Sequence, residues 1–135
     1  ASVVCTTTAA ATPILEGAWL APGAHVNLVG SAVATTAEID GEGVHRGRVY
    51  VDHRPAADAE AGELRAALAA GVIGPGHVRG EIGEVLLGNL RGRTAADEIT
   101  VYKSLGIAAQ DLAAAAAAYA AACETDRGAR LDLAG

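Results

Sequence analysis

Short apolar runs alternate along this chain with helix-forming stretches, and this alternation restricts the possible fold more than any other feature. The apolar runs are rich in β-branched residues and predict strands at 2–5, 25–29, 48–52 and 99–102. Runs of this length bounded by Gly, Pro or hydroxyl residues are typical of buried strands.

Helix signals fill the intervals between these runs. Thr35 and Glu38 have the Thr-x-x-Glu spacing of a capping box and predict a helix from Thr35 towards Val44. Further helices are predicted in the Ala-, Glu- and Leu-rich stretch that closes at Gly71, at 81–88, and in the Ala-rich stretch 107–123. Strands that alternate with helices predict an α/β fold, a parallel sheet with helical crossovers.

Small and hydroxyl residues follow three of the predicted strands. Thr6, Thr7 and Thr8 follow the first strand, Gly30-Ser31 the second, and Lys103-Ser104 the last. Because ligands of open α/β sheets bind at the carboxyl ends of the strands, we expect these three exits to lie along one ligand-binding edge.

Charge and cysteine content argue against several classes of function. The chain has 10 basic and 16 acidic residues and a net charge of −6, which disfavours nucleic-acid binding. Cys5 and Cys123 have no zinc-ligand spacing, so we predict no metal site and two buried, reduced thiols. No apolar run reaches the roughly 18 residues of a membrane helix, so we expect no membrane partner and a cytoplasmic location.

The chain contains no Met, which suggests that it is an excerpt of a longer polypeptide. It also contains no G-x-G-x-x-G phosphate turn. The Gly-rich stretch 71–80 follows a predicted helix, whereas a dinucleotide turn follows a strand.

Several ordered motifs resemble the ornithine cyclodeaminase/mu-crystallin family. They are PIL at 13–15, WLAPGAHVNLVGS at 19–31, EID at 38–40, GEIGEV at 80–85, TVYKSLG at 100–106, and Gln110-Asp111. The resemblance implies that residues 1–105 are the second half of a Rossmann-type NAD(P)-binding domain. It further implies that 106–124 is a helix returning to the substrate and dimer domain, with a frayed polar tail at 125–135.

The resemblance also implies a cofactor, NADH or NADPH, a small imino or amino acid substrate, and a homodimer as the intact enzyme. The implied cofactor-binding residues are those of the three strand exits: Thr6, Thr7, Thr8, Leu28, Val29, Gly30, Ser31, Lys103 and Ser104. A structural alternative stays open for most of them. The threonines could form a turn by bonding their own backbone, and Gly30 could simply end its strand. Lys103 could be a solvated charge at the end of its strand, and Ser104 could be a helix N-cap. A lone Trp19 beside a turn is interpreted as a packing anchor.

Ala32 distinguishes between reactions within the resembled family. Cyclodeaminases and related alanine dehydrogenases commonly have Asp at this position for deamination or proton transfer, and Ala32 can do neither. We therefore predict no catalytic residue in this chain. The resemblance also implies that the family's substrate-binding Lys and Arg residues lie upstream, and with no phosphate turn present the chain alone should be inactive. The favoured function is the reduction of cyclic ketimines such as Δ1-pyrroline-2-carboxylate. The alternatives are an ornithine cyclodeaminase and a non-catalytic crystallin-like binding protein.

Overall fold

The computed structural model describes residues 1–129 and residue 131. The chain forms two compact units, Ala1–Leu105 and a second unit that begins at Gly106.

The first unit is built on a five-stranded, entirely parallel sheet with the strand order β1-β2-β5-β3-β4. The strands are β1 (Val3–Thr6), β2 (His25–Leu28), β3 (Arg48–Val51), β4 (Val78–Glu81) and β5 (Thr100–Lys103). The predicted parallel α/β fold is confirmed. The chain enters β5 last and places it between β2 and β3, so the last strand lies at the centre of the sheet.

β4 was not predicted from the sequence. It contains Gly80 and follows the Gly-punctuated stretch 71–77, and it pairs only with β3 at the edge of the sheet. Glycine weakens a strand pattern, so the pairing with β3 determines this element more than its own composition does.

The helices of the first unit are α1 (Gly41–Arg46), α2 (Arg54–Glu60), α3 (Gly62–Ala69) and α4 (Ile82–Leu86). The predicted helix start at Thr35 is wrong. Asp40 is the N-cap of α1, and its carboxylate accepts a hydrogen bond from the Gly43 N–H at 2.8 Å. Residues ahead of it form a turn and an isolated bridge between Leu15 and Ile39, so Glu38 cannot belong to a helix. The single helix predicted to close at Gly71 is divided into α2 and α3 at Ala61.

The core lies against the central strands. Val26, Leu28, Val49, Val51 and Val101 are completely buried, and Val44 of α1 with Leu64 and Ala67 of α3 belongs to the same cluster. Strands covered by helices in this way read as continuous apolar runs, which is the pattern that the sequence showed.

Two side-chain predictions are wrong. Trp19 is 63% exposed in the 3-10 helix Gly17–Trp19, and both cysteines are free but exposed. Burial of these residues was expected from their residue types alone, and their elements leave those side chains at the surface of the described chain.

The second unit contains α5 (Ala108–Thr125), which ends at Asp126 in the left-handed conformation with φ 49°. Its long Ala run is the strongest helix signal of the chain. Of the tail predicted at 125–135, residues 130 and 132–135 lie outside the described residues. No helix in the described ranges has the length and apolar character to cross a membrane.

Replacing a core residue tests the packing. Ile39 is 1% exposed, so Ile39→Ala removes buried methyl groups and leaves a cavity, and we expect a loss of about 2–5 kcal/mol in the free energy of unfolding. Leu86→Ala is the matched control because Leu86 is 81% exposed, and a change within about 0.5 kcal/mol is expected. Urea unfolding of the two variants measures the difference, and equal losses would contradict the assigned core.

Candidate functional site

The three predicted strand exits lie side by side at the carboxyl edge of the sheet. Thr6 of β1 pairs in register with Leu28 of β2, and Leu28 pairs with Lys103 of β5. The backbone continues these links, since Val29 donates to the Thr6 carbonyl at 2.9 Å and Ser104 donates to the Leu28 carbonyl at 2.9 Å. The sequence therefore predicted the common edge correctly.

A buried glutamate, Glu38, joins the first two exits. Its carboxylate accepts hydrogen bonds from the Thr6 hydroxyl at 2.7 Å, the Thr8 N–H at 2.6 Å and the Gly30 N–H at 2.8 Å. The Glu38 backbone carbonyl also accepts from the N–H groups of Ile14 and Leu15, both at 3.0 Å. One residue thus fastens three separate chain segments.

The environment of Glu38 favours the charged carboxylate. Burial raises the pKa of Glu38, but the hydrogen bonds from Thr6, Thr8 and Gly30 outweigh that effect and leave the pKa below its ordinary value. Because every one of these donors points at the carboxylate and the side chain is buried, Glu38 is a structural anion.

Gly30 is needed where the first two exits touch. A Cβ at this position would lie 2.1 Å from the backbone N and O of Thr8 and 2.4 Å from a Glu38 carboxylate oxygen. No side chain fits there. The interpretation of Gly30 as a plain strand end therefore misses its contact with the Thr8 backbone.

Lys103 is not a solvated charge at the end of its strand. Its side chain is completely buried, and its ammonium lies 3.2 Å from the Glu63 carboxylate, whose side chain is also completely buried. The ammonium additionally donates to the Ser31 carbonyl. The Ser31 hydroxyl donates to the Thr36 carbonyl at 2.8 Å and to Glu63 at 3.3 Å.

A third carboxylate, Asp52, holds the exit of β5. Asp52 follows β3 and accepts from the Leu105 N–H at 2.6 Å and from the Ser104 hydroxyl at 3.3 Å. Ser104 is not the N-cap of the last helix, because Ile107 occupies that position. The hydroxyl of Ser104 is half-buried and is directed to the neighbouring strand exit.

The structure divides the predicted cofactor-binding residues into two groups. The side chains of Thr6, Leu28, Ser31 and Lys103 are buried in the protein, so a ligand at this edge cannot contact those of Leu28 and Lys103, which are fully covered. Thr7, Thr8 and Val29 are exposed, and Gly30 and Ser104 are partly exposed. Ala32 and Val33 are exposed next to them and add a small apolar surface.

Three residues that organise the edge, Glu38, Asp52 and Glu63, were missed as site residues. Asp52 could have been found, because it directly follows the buried apolar strand 49–51, where α/β proteins position functional groups. Glu38 carried a misleading local signal, and Glu63 lies in an Ala-rich helix where nothing distinguishes it from a solvated charge.

The accessible residues suit a flat, partly apolar ligand. Small side chains at 29–33 permit close approach of a ring, and the Thr7 and Thr8 hydroxyls can donate hydrogen bonds beside it. Within the described ranges no group of three or more His, Cys, Asp or Glu side chains could hold a metal ion.

The parallel sheet, its crossovers and a ligand edge at the strand exits define an α/β domain of the Rossmann type. The sequence pattern of the ornithine cyclodeaminase/mu-crystallin family matches residues 1–126, and this chain belongs to that family. The resemblance seen in the sequence motifs is thereby confirmed.

Three similar proteins illustrate the range of the family. Ketimine reductase mu-crystallin of Mus musculus is 38% identical over 119 residues, which cover 88% of this chain and 35% of the relative. The structure of Thermococcus litoralis Δ1-pyrroline-2-carboxylate reductase in complex with NADH and L-proline has a TM-score of 0.81 at 34% identity, covering 96% of this chain and 39% of that one. An archaeal alanine dehydrogenase dimer with bound NAD has a TM-score of 0.80 at 33% identity, covering 98% and 41%.

The chain therefore spans about two fifths of the length of these relatives.

Substitution of Glu38 tests the carboxylate that joins the exits. Because the pKa of Glu38 is lowered in the folded state, its contribution to stability is complete above the unfolded value of about 4.3 and is lost as the pH falls below it. Glu38→Gln should lower the free energy of unfolding by about 1–3 kcal/mol at pH 7 and flatten its decline below pH 4.3. Urea unfolding between pH 7 and pH 3 measures both effects.

The comparison of the wild type with Glu38→Gln isolates the effect of Glu38, because a second carboxylate with a lowered pKa, Glu98, is present in both proteins. Hydrogen bonds from the Thr94 backbone and hydroxyl lower the pKa of Glu98 to about 2, and this contribution remains in the variant. An acid decline as steep in Glu38→Gln as in the wild type would contradict the role given to Glu38.

Proposed function

We propose that this chain forms the nicotinamide side of an NAD(P)H-dependent oxidoreductase that reduces cyclic ketimines such as Δ1-pyrroline-2-carboxylate. The observation that carries the proposal is the contrast at the second strand exit. The exposed residues there, Val29, Ala32 and Val33, are apolar, whereas the nearby carboxylates of Glu38 and Glu63 are buried and paired.

An exposed apolar exit suits hydride transfer better than deamination. Hydride transfer to an imine needs the ring to be oriented against the substrate, and small apolar side chains at the exit permit its close approach. A cyclodeaminase of the type considered above needs an accessible carboxylate at position 32, and Ala32 provides none. When bound, the cofactor supplies the hydride that reduces the C=N bond.

Thr7 and Thr8 complete the proposed cofactor surface. Their side chains are exposed beside the exit of β2, while the Thr8 N–H is fixed by Glu38 at 2.6 Å. We propose that these hydroxyls, the backbone of 28–31 and the half-buried Ser104 contact the nicotinamide and its ribose. We propose that Thr6, Ser31 and Lys103 act from beneath this surface.

The relatives support this assignment in class and cofactor. The reductase from Thermococcus litoralis was solved with NADH and L-proline, and the archaeal alanine dehydrogenase with NAD. We propose NADH or NADPH as cofactor, a small imino or amino acid as substrate, a homodimer as the assembled enzyme, and the cytoplasm as its location.

Assay of the intact polypeptide that carries this chain tests the reaction. We expect oxidation of NADPH or NADH with Δ1-pyrroline-2-carboxylate and formation of proline, and no turnover by the 135-residue chain alone. Proline and ammonia formed from ornithine without net consumption of NADH would identify a cyclodeaminase instead. Cofactor binding without turnover of either substrate would identify a non-catalytic binding protein.

A bulky substitution at the exit tests the proposed surface. Ala32 is exposed, so Ala32→Trp should fold normally but obstruct the ring, and we expect kcat/KM to fall by about 100-fold. Ala70→Trp is the control. Ala70 is exposed directly after the last residue of α3, and the kcat/KM of this variant should stay within about twofold of the wild-type value. Equal activity of the two variants would exclude 29–33 from the cofactor surface.

A further inference from the structure

We propose that Lys103 and Glu63 are positioning residues that hold the segment 31–36, here called the exit loop, in the conformation needed at the cofactor surface. The kinetic part of this proposal rests on the proposed function, but its structural part does not. Neither residue contacts the accessible surface, and both act through Ser31.

The pair is bonded to the first residue of the exit loop, Ser31, and Ser31 is bonded to the last residue, Thr36. The Lys103 ammonium donates to the Ser31 carbonyl, and the Ser31 hydroxyl donates to Glu63 at 3.3 Å. At the other end of the loop, the Thr36 carbonyl accepts a hydrogen bond from the Ser31 hydroxyl at 2.8 Å. The Thr36 hydroxyl and N–H both donate to the Val33 carbonyl, at 3.1 Å each, which closes the loop as a turn.

The loop also lies directly on the first turn of α3. A Cβ at Gly62 would come within 2.1 Å of the Thr36 carbonyl oxygen and 3.0 Å of the Ala34 carbonyl oxygen. Glu63 follows Gly62 in the chain, so the residue that pairs with Lys103 is at the point of closest contact between helix and loop.

The two sides of the exit loop differ completely. Ser31 is buried on the side of the ion pair, whereas residues 32–35 are exposed. The polar network thus fixes the backbone from below and leaves the outer side chains free to meet a ligand. This arrangement is what a positioning pair requires.

The energetics separate positioning from stability. Removing two charges from water costs about as much free energy as their attraction returns, so apolar replacement of a buried ion pair is often neutral for folding. A pair retained only for stability would therefore be dispensable as a unit. A pair that fixes the Ser31 carbonyl would not be dispensable for the geometry of the loop.

The test is the double variant Lys103→Met with Glu63→Leu in the intact polypeptide that carries this chain. We expect a melting temperature within about 5 °C of the wild type. With NADPH and Δ1-pyrroline-2-carboxylate, kcat should fall by about 10- to 100-fold because the loop is displaced. The Kd for NADPH should change by less than about threefold, since the proposed contacts of Thr7, Thr8 and Ser104 lie outside the displaced loop. An unchanged kcat in the folded double variant overturns the proposal.

The matched control removes an ion pair from the opposite edge of the sheet. Arg48 and Glu98 are 3.5 Å apart at the amino end of β3, and the double variant Arg48→Met with Glu98→Leu should keep kcat within about twofold. An equal fall in kcat in the control would show a general response to ion-pair removal and would overturn the proposal.

Amide hydrogen exchange provides a readout that needs no activity. In the Lys103→Met/Glu63→Leu variant, the Thr36 N–H should exchange at least about 10-fold faster, while amides of β2 and β5 exchange at the wild-type rate. Faster loop exchange with no turnover even in the wild type would leave the positioning role supported and would overturn the proposed function alone. Unchanged exchange overturns the positioning role whatever the activity.

A second variant covers a failure of the first to fold. In Lys103→Gln with Glu63→Gln both side chains stay polar but uncharged, and the shorter side chain at 103 withdraws its nitrogen from the Ser31 carbonyl. The same faster loop exchange is expected, and wild-type exchange in this folded variant overturns the proposal.

Discussion

The carboxylate of Glu38 is the interaction on which the ligand edge depends. A buried charge is costly unless hydrogen bonds compensate it, and here the compensating donors come from Thr6, Thr8 and Gly30 on two different strand exits. Satisfying this one anion therefore requires both exits to be in place at once. The close approach at Gly30, where no Cβ fits, follows from the same requirement.

Buried carboxylates also link neighbouring chain segments along the rest of the edge. Asp52 links the end of β3 to the segment after β5, and Glu63 with Lys103 links β5 to the exit loop after β2. Each carboxylate is engaged by groups of the protein, so none of these three residues offers an accessible acid or base at the edge.

The sequence predicted the parts of the fold that depend on local patterns, and it failed where long-range contacts decide. The apolar runs of β1, β2, β3 and β5 and the common edge of their exits followed from strand composition and from the geometry of parallel sheets. β4 was missed because Gly80 interrupts the apolar pattern expected of a strand. Its pairing with β3 determines this element instead. The spacing of Thr35 and Glu38 predicted a helix. Glu38 instead accepts hydrogen bonds from Thr6 and Thr8, which lie 32 and 30 positions earlier in the chain, and no local sequence pattern identifies such partners. The burial of Lys103 was missed because its partner, Glu63, is in a helix that is distant in sequence.

The residues that hold the exit loop are separate from the residues that a ligand would meet. Ser31 and Thr36 secure its ends, and Glu38 fixes the strand exit before it, all through groups that point inward. The side chain at position 32 takes no part in these bonds and is exposed. A carboxylate or a methyl group at this position is therefore compatible with the same backbone. The scaffold does not constrain the side chain of residue 32, and in this chain Ala32 leaves the surface apolar.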